Sequence, residues 1–308
     1  MLQSFLDSFS LFGQQLVNGI TLGSVYALIA VGYTMVYGVI ELINFAHGEI
    51  YMMGAFLSFT MVTSYGISLW LAFPITMLIC AVMGIALDIV AYRPLRKAPR
   101  LAALITAIGM SLFLQNLALI IWGSKIQSYP IIPEPSLPVV LFKPAVTLGE
   151  IVITWLQILI LLVTTIMMAG LHTIIHRTRM GTAMRAVAQD KVTSSLMGIN
   201  VNRVISFTFA IGSAMGAVAG ILVGIYYNAI WPTMGYIAGI KAFAAAVLGG
   251  IGSVPGAMFG GGVLGMAEVM GAGYISSAYR DGIAYAVMIL VIIFKPSGLL
   301  GKSTVQKV

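Results

Sequence analysis

Nearly all the charge in this 308-residue chain is gathered into a few short segments. The intervals between them are apolar over lengths approaching the roughly 20 residues a helix needs to cross a hydrocarbon layer about 30 Å thick. That distribution restricts the fold more than any motif does. A soluble domain spreads charged residues over its surface, typically about 25% of the sequence, whereas here they make up 8% and hydrophobic residues 60%. In lipid every backbone polar group must be satisfied internally, so the chain is expected to be an all-α polytopic membrane protein with the bilayer as its solvent. The single cysteine, Cys80, lies in an apolar run, which excludes an intrachain disulfide and suits a small packing residue. No cleavable signal peptide is expected, because such a signal has a basic start and the first Lys or Arg is Arg93.

The pattern predicts one transmembrane domain over 1–308 with eight or nine spans, some of them broken or re-entrant. An interfacial lead-in carrying Asp7 precedes a first span from Phe12 to about Val39, where Gly19 and Gly23 place two bare positions on one helix face. A polar break from Gly38 to Glu49 separates it from a second span, Ile50 to Val62. Further spans are expected at Leu69–Ala91, Leu101–Trp122 and Ile151–Leu171, with Gln115 and Asn116 as buried polar groups that need partners. The loop from Gly123 to Glu150 contains Pro130, Pro133, Pro135, Pro138 and Pro144 and is expected to be stiff and extended. In the span Val204–Tyr227, Gly212, Gly216, Gly220 and Gly224 form a flat stripe against which another helix must lie. Ile237–Leu248 is too short to cross unaided, and Ala257–Met270 and Ile283–Phe294 complete the set after a glycine-rich turn.

Lys and Arg near helix ends are retained on the cytoplasmic side. The stretch Arg93 to Arg100 has four basic residues, Arg177 to Arg203 has five against Asp190, and the tail has Lys295, Lys302 and Lys307. All three are expected inside. The Pro-rich loop, with Lys125 and Lys143 balanced by Glu134 and Glu150, is expected outside, and parity then puts the N-terminus outside as well. The longest strongly basic loop, His176 to Arg203, contains a predicted short helix, Ala183 to Met197, with Met184, Val187 and Met197 apolar and Arg185, Gln189, Asp190 and Lys191 polar. Two readings fit such a helix: docking into a groove of a soluble cytoplasmic protein, or lying solvated among headgroups.

No catalytic constellation is present. His172 and His176 are four apart but lack a third metal ligand, so no metal is expected. The glycines after Leu248 lack the Lys-Ser/Thr ending of a phosphate loop, and no nucleic-acid partner is expected. Ionisable groups at membrane depth are functional candidates by default. Glu41, Asn44, His47 and Glu49 either line a substrate path or cap two half-helices, and Lys241 and Glu268 either pair inside the bundle or snorkel to water.

Four segments carry a family resemblance: GYTMVYGVIELINFAHGEIYM from Gly32, YRPLR from Tyr92, RMGTAMRA from Arg179 and KAFAAAVLGGIGSVPGA from Lys241. Their order and spacing, over essentially the whole chain, resemble the LivH-type inner-membrane permeases of bacterial high-affinity branched-chain amino acid ABC transporters. The Pro-rich loop is where the chain is least like that family. The resemblance implies a non-enzymatic transport subunit that forms half of a translocation pathway. It would pair with a second homologous permease, two ATPase subunits that bind the ATP and Mg²⁺, and a periplasmic amino-acid-binding protein. It also implies that Ala183–Met197 is the helix that couples to the ATPases, with Arg179, Gly181, Arg185, Ala186, Asp190 and Gly198 as its residues. The path itself would be lined by Glu41, Asn44, His47, Glu49, Gln115, Asn116, Lys241 and Glu268. Related permeases for urea, short amides or other amino acids, and a secondary transporter driven by protons or sodium, are the alternatives.

Overall fold

Apart from Ile151–Thr154, the apolar runs of the sequence are helical in the structure, a computed structural model that describes residues 2–42, 44–96, 98–129, 139–295 and 297–301. Pro130, Pro133, Glu134, Pro135 and Pro138 of the Pro-rich loop, Lys97, and Lys302 and Lys307 of the tail lie outside the described residues. The helices are α1 (Leu2–Ile40), α2 (His47–Thr63), α3 (Leu69–Leu87), α4 (Arg100–Trp122) and α5 (Trp155–Arg177). They continue with α6 (Arg179–Gln189), α7 (Lys191–Leu196), α8 (Val201–Tyr227), α9 (Met234–Gly249), α10 (Val254–Tyr274) and α11 (Arg280–Phe294). A small antiparallel hairpin, β1 (Pro144–Leu148) with β2 (Ile151–Thr154), precedes α5.

Local chemistry sets the boundaries. α1 ends where Glu41 turns left-handed with φ of 60°. α5 begins four residues later than expected, because β2 takes Ile151–Thr154 and a capping box then starts the helix. In that box the Thr154 hydroxyl accepts from the backbone of Gln157 while the Gln157 side chain accepts from the backbone of Thr154. Asn200 and Ser253 cap α8 and α10 in the same sense, each accepting from the N–H three residues on. α3 runs on into a π-turn at Asp88–Tyr92 and stops near Pro94.

By length and composition six helices can cross a membrane, α1, α3, α4, α5, α8 and the segment ending in α11. The count is seven if α9 and α10, bent by 119° at their junction, are taken as one broken span. The expected eight or nine is not reached on that basis. The difference lies in α2 and α9, which at 17 and 16 residues are about 26 and 24 Å long. Both are packed within protein, so their shortness leaves no backbone facing lipid.

α1 and α8 form the centre: 89% and 83% of their apolar windows are buried, against 28% for α3 and 22% for α4 and α5. The glycines explain how. A Cβ on Gly23 would meet Gly262 Cα at 2.9 Å, one on Gly261 would meet Ala27 N at 2.4 Å, and one on Gly265 would meet Gly23 Cα at 2.3 Å, so α1 and α10 lie backbone to backbone. The stripe on α8 is filled as its spacing requires. Gly212 faces Gly32 of α1, Gly216 faces His47 of α2, and a Cβ on Gly220 would sit 1.9 Å from the Tyr51 carbonyl oxygen.

The described parts of the basic stretches share one end of the bundle. Lys191 Nζ donates to the Ile40 carbonyl at the end of α1, and the backbone N–H groups of Leu299 and Leu300 donate to the carbonyls of Leu248 and Gly249. There Asp88, wholly buried, is gripped by Arg93 at 3.3 Å and Arg96 at 2.5 Å and accepts from Ser206 of α8. This acid, one turn before the basic segment, neutralises part of it and fastens α3 to α8. At the opposite end Gln127 and Ile230 exchange backbone hydrogen bonds and Gln157 donates to Asn18.

Substituting Gly220→Ala therefore forces α2 off α8 and is expected to cost about 1–3 kcal/mol, read as a lower unfolding midpoint of the purified chain. Gly109→Ala and Gly170→Ala, whose new methyls meet nothing within 4 Å, should leave that midpoint unchanged or slightly higher.

Candidate functional site

The break after α1 does not lead outward. From Ile40 the chain folds back so that α2 starts at His47 with its ring edge-on to Tyr33 at 4.8 Å and against Gly32. Gly32 is eight residues, about 12 Å, up α1 from the end of the helix. Asn44, His47 and Glu49 are consequently buried inside the bundle, while Glu41 stays exposed at the bundle end. Asn44 Oδ1 accepts from the Tyr92 hydroxyl at 2.7 Å, and Glu49 Oε1 accepts from Ser111 Oγ at 2.9 Å and Gln115 Nε2 at 2.8 Å. Asn44 Nδ2, His47 Nε2 and Glu49 Oε2 have no hydrogen-bond partner among the described residues. Unpaired buried groups cost about 1–3 kcal/mol each, so this segment gains from any rearrangement that satisfies them.

Gln115 thus finds the partner its sequence position demanded, and Asn116, expected to be buried, is not. Asn116 lies on an exposed face of α4 and donates to the Leu112 carbonyl one turn back. Neighbouring positions on a helix point about 100° apart, so both could not face Glu49.

Lys241 and Glu268 pair inside the bundle. Lys241 Nζ lies 2.9 Å from Glu268 Oε1 and 2.6 Å from Asp281 Oδ1, with Lys241 5% and Glu268 0% exposed. Arg280 Nε also donates to Glu268 Oε1, and the Tyr26 hydroxyl donates to Oε2 at 2.9 Å. Four elements meet here: α1, α9, α10 and the first turn of α11. Beside them is a cavity of about 390 Å³, bounded by Tyr26, Tyr227, Trp231, Lys241, Arg280 and Asp281 among others. The sequence reading missed Arg280 and Asp281, which look like ordinary polar residues flanking the last span. Their signal is being an adjacent base and acid where an apolar run begins.

At the basic end the predicted helix Ala183–Met197 is two helices rather than one. Asp190 divides them, leaving α6 and capping α7 through the backbone N–H groups of Val192 and Thr193. Hydrogen bonds from the Thr193 hydroxyl and those two backbone groups hold its carboxyl below the usual range. The cap is therefore complete above ordinary carboxylate pKa values and is lost as pH falls through the lowered one.

The apolar face divides as well. Met184 and Val187 of α6 are buried in the bundle, whereas Val192, Leu196 and Met197 are 71%, 83% and 80% exposed. Gly181 lets α6 fold tightly onto α5, since a Cβ there would stand 2.2 Å from the Ile174 carbonyl oxygen. Arg185 reaches His176 Nδ1 at 3.1 Å, Arg179 is exposed, Ala186 is half-buried, and Gly198 ends α7 with φ of 84°. The His172 and His176 rings are 4.4 Å apart, and the described residues hold no group of three His, Cys, Asp or Glu able to grip a metal.

Comparison with known proteins identifies the relatives of the chain. Residues 15–292 match the family model of the branched-chain amino acid transport system permease component. The chain is 48% identical over 303 residues to the high-affinity branched-chain amino acid transport permease BraD of Pseudomonas aeruginosa, covering 96% of this chain and 97% of that protein. It is 47% identical to LivH of Escherichia coli K12, covering 98% and 99%, and 26% identical to a probable LivH of Methanocaldococcus jannaschii, covering 93% and 91%. Among solved structures it is similar to PsaBC of Streptococcus pneumoniae in complex with Fab, with a TM-score of 0.50 and 12% identity over 96% of this chain and 97% of that one. At that identity the likeness is one of fold alone.

Removing one member of a buried charge cluster leaves the others uncompensated. Glu268→Leu is expected to cost about 3–5 kcal/mol, measured as thermal unfolding in detergent, and adding Lys241→Met to the same chain should recover part of the loss.

Proposed function

The chain belongs to the branched-chain amino acid transport permease family. On that premise we propose that it forms one half of the transmembrane pathway of an ATP-driven importer carrying leucine, isoleucine or valine across the bacterial inner membrane. ATP and Mg²⁺ are handled by two separate ATPase subunits. A second, homologous permease completes the pathway, and a periplasmic binding protein delivers the amino acid. Nine passes, with α2 and α9 short and enclosed by protein, are the reading consistent with the basic stretches sharing one, cytoplasmic, end. The apolar outer faces of α3, α4, α5 and α11 are then available to lipid and to the second permease.

The observation that carries this reading is the exposed apolar tip at the basic end. Val192, Leu196 and Met197 are exposed on a short helix and its cap, whose neighbour α6 is anchored in the bundle through Met184 and Val187. An apolar surface held out this way calls for a protein partner. With α6 fixed by Gly181, the Thr178 cap and the Arg185–His176 contact, a push on α7 is passed to α5 and α8 as a rigid displacement. Arg179, Arg185, Ala186, Asp190 and Gly198 support the same unit. The pathway we assign runs past the Glu49–Gln115 group with Asn44 and His47, and past Lys241 and Glu268. Asn116, which back-bonds within α4, and Glu41, at the bundle end, fall outside it.

Uptake of labelled leucine into proteoliposomes is expected only when this chain, a second permease, the ATPases, the binding protein and ATP are all present. Uptake by the chain alone on an ion gradient would sink the proposal. Leu196→Glu should reduce ATP-driven uptake by roughly tenfold or more, the loss of a buried interface anchor, while membrane insertion is unchanged.

A further inference from the structure

The four charges beside the 390 Å³ cavity form a chain that alternates in sign: Asp281, Lys241, Glu268, Arg280. Its two inner members are saturated by their neighbours and nearly inaccessible. Its two ends are not, with the Asp281 side chain 55% and the Arg280 side chain 33% exposed. Those ends carry opposite charge, come from adjacent residues on the first turn of α11, and border the same cavity. Charged groups at this depth are too costly to present to lipid, so the opening faces water or protein. The rest of the wall is apolar and aromatic: Trp231, Met234, Ile237 and Ala238 come from α9 and the turn before it, Leu22 and Val223 from α1 and α8, and three tyrosines complete it. Its size falls within the roughly 300–1,000 Å³ of small-molecule sites.

We propose that this cavity is an amino-acid site of the permease itself, in which the substrate carboxylate meets Arg280, its ammonium meets Asp281, and its aliphatic side chain lies against Trp231, Met234, Ile237 and Ala238. The inference rests on the reading of the chain as an amino-acid permease and adds the residues that recognise the substrate. A zwitterion is the ligand that closes the open chain of charges into an alternating ring, so each desolvated charge gains a partner and the net charge of the site stays zero. A free amine or a free carboxylate would satisfy one end and leave the other. A second cavity of about 240 Å³ is bounded by Gln15, Asn18, Tyr227 and Arg280 among others, so Arg280 and Tyr227, which touch, border both spaces.

The test uses the complete transporter in proteoliposomes, with binding protein saturated by leucine or by valine in separate runs. Asp281→Asn is expected to lower uptake of both amino acids roughly tenfold or more, the scale of a lost hydrogen bond to a charged group, and Asp281→Glu to restore most of it. Ala238→Leu, which shortens the apolar wall without touching a charge, should lower the leucine-to-valine uptake ratio by about tenfold, as one methylene does in a hydrophobic pocket. If Ala238→Leu does not assemble, Ile237→Ala enlarges the same wall and the ratio should rise. An unchanged ratio in the assembled wall variant, or uptake untouched by Asp281→Asn, overturns the site while leaving the permease reading intact. Absence of ATP-dependent uptake of either amino acid by the wild-type complex overturns the permease reading, and the site falls with it.

Discussion

Backbone contact between α1 and its neighbours is the constraint on which the rest depends. Lipid tails are as apolar as leucine, so helices in a bilayer gain little from hiding apolar side chains and associate through close van der Waals packing instead. Gly23, Gly261 and Gly265 supply it on the α1–α10 side, and Gly212, Gly216 and Gly220 where α8 meets α1 and α2. The polar chemistry follows from that approach. Tyr26 reaches Glu268 because α10 lies backbone to backbone with α1, and the His47 ring fits between Gly32 and Gly216 because neither has a side chain.

The buried acids show three ways of carrying charge into the membrane. Asp88 is saturated by two arginines and a serine and serves as a fastening between α3 and α8. Glu268 is equally well held, but its partners extend to a cavity, so the same pairing that stabilises it displays two further charges. Glu49 has one oxygen satisfied and one orphaned beside Gly235. It is packed between the break after α1 and the short helix α9, which makes it the acid whose surroundings are least settled in this conformation.

The basic loop divides anchoring from display. α6 folds back on α5 over Gly181 and buries its apolar residues, and Asp190 then ends one helix and starts the next. The turn at Asp190 points the remaining apolar side chains away from the bundle.

By itself the sequence determined the class, the order of the helices, the glycine faces and the end at which the basic segments gather. These depend on local composition and spacing, and the bilayer enforces them residue by residue. It also marked Thr154 with Gln157 as a cap, a signal that could have placed the start of α5 correctly. It did not determine that α2 begins about two turns up α1 from its end, that Asn116 turns from Gln115's cluster, or that Asp190 splits the loop helix. Nor did it show that Arg280 and Asp281 complete a charge chain begun by Lys241, 39 and 40 positions earlier. Such features are set by which backbones can approach and which distant partners then satisfy a desolvated charge, and only the tertiary structure decides that.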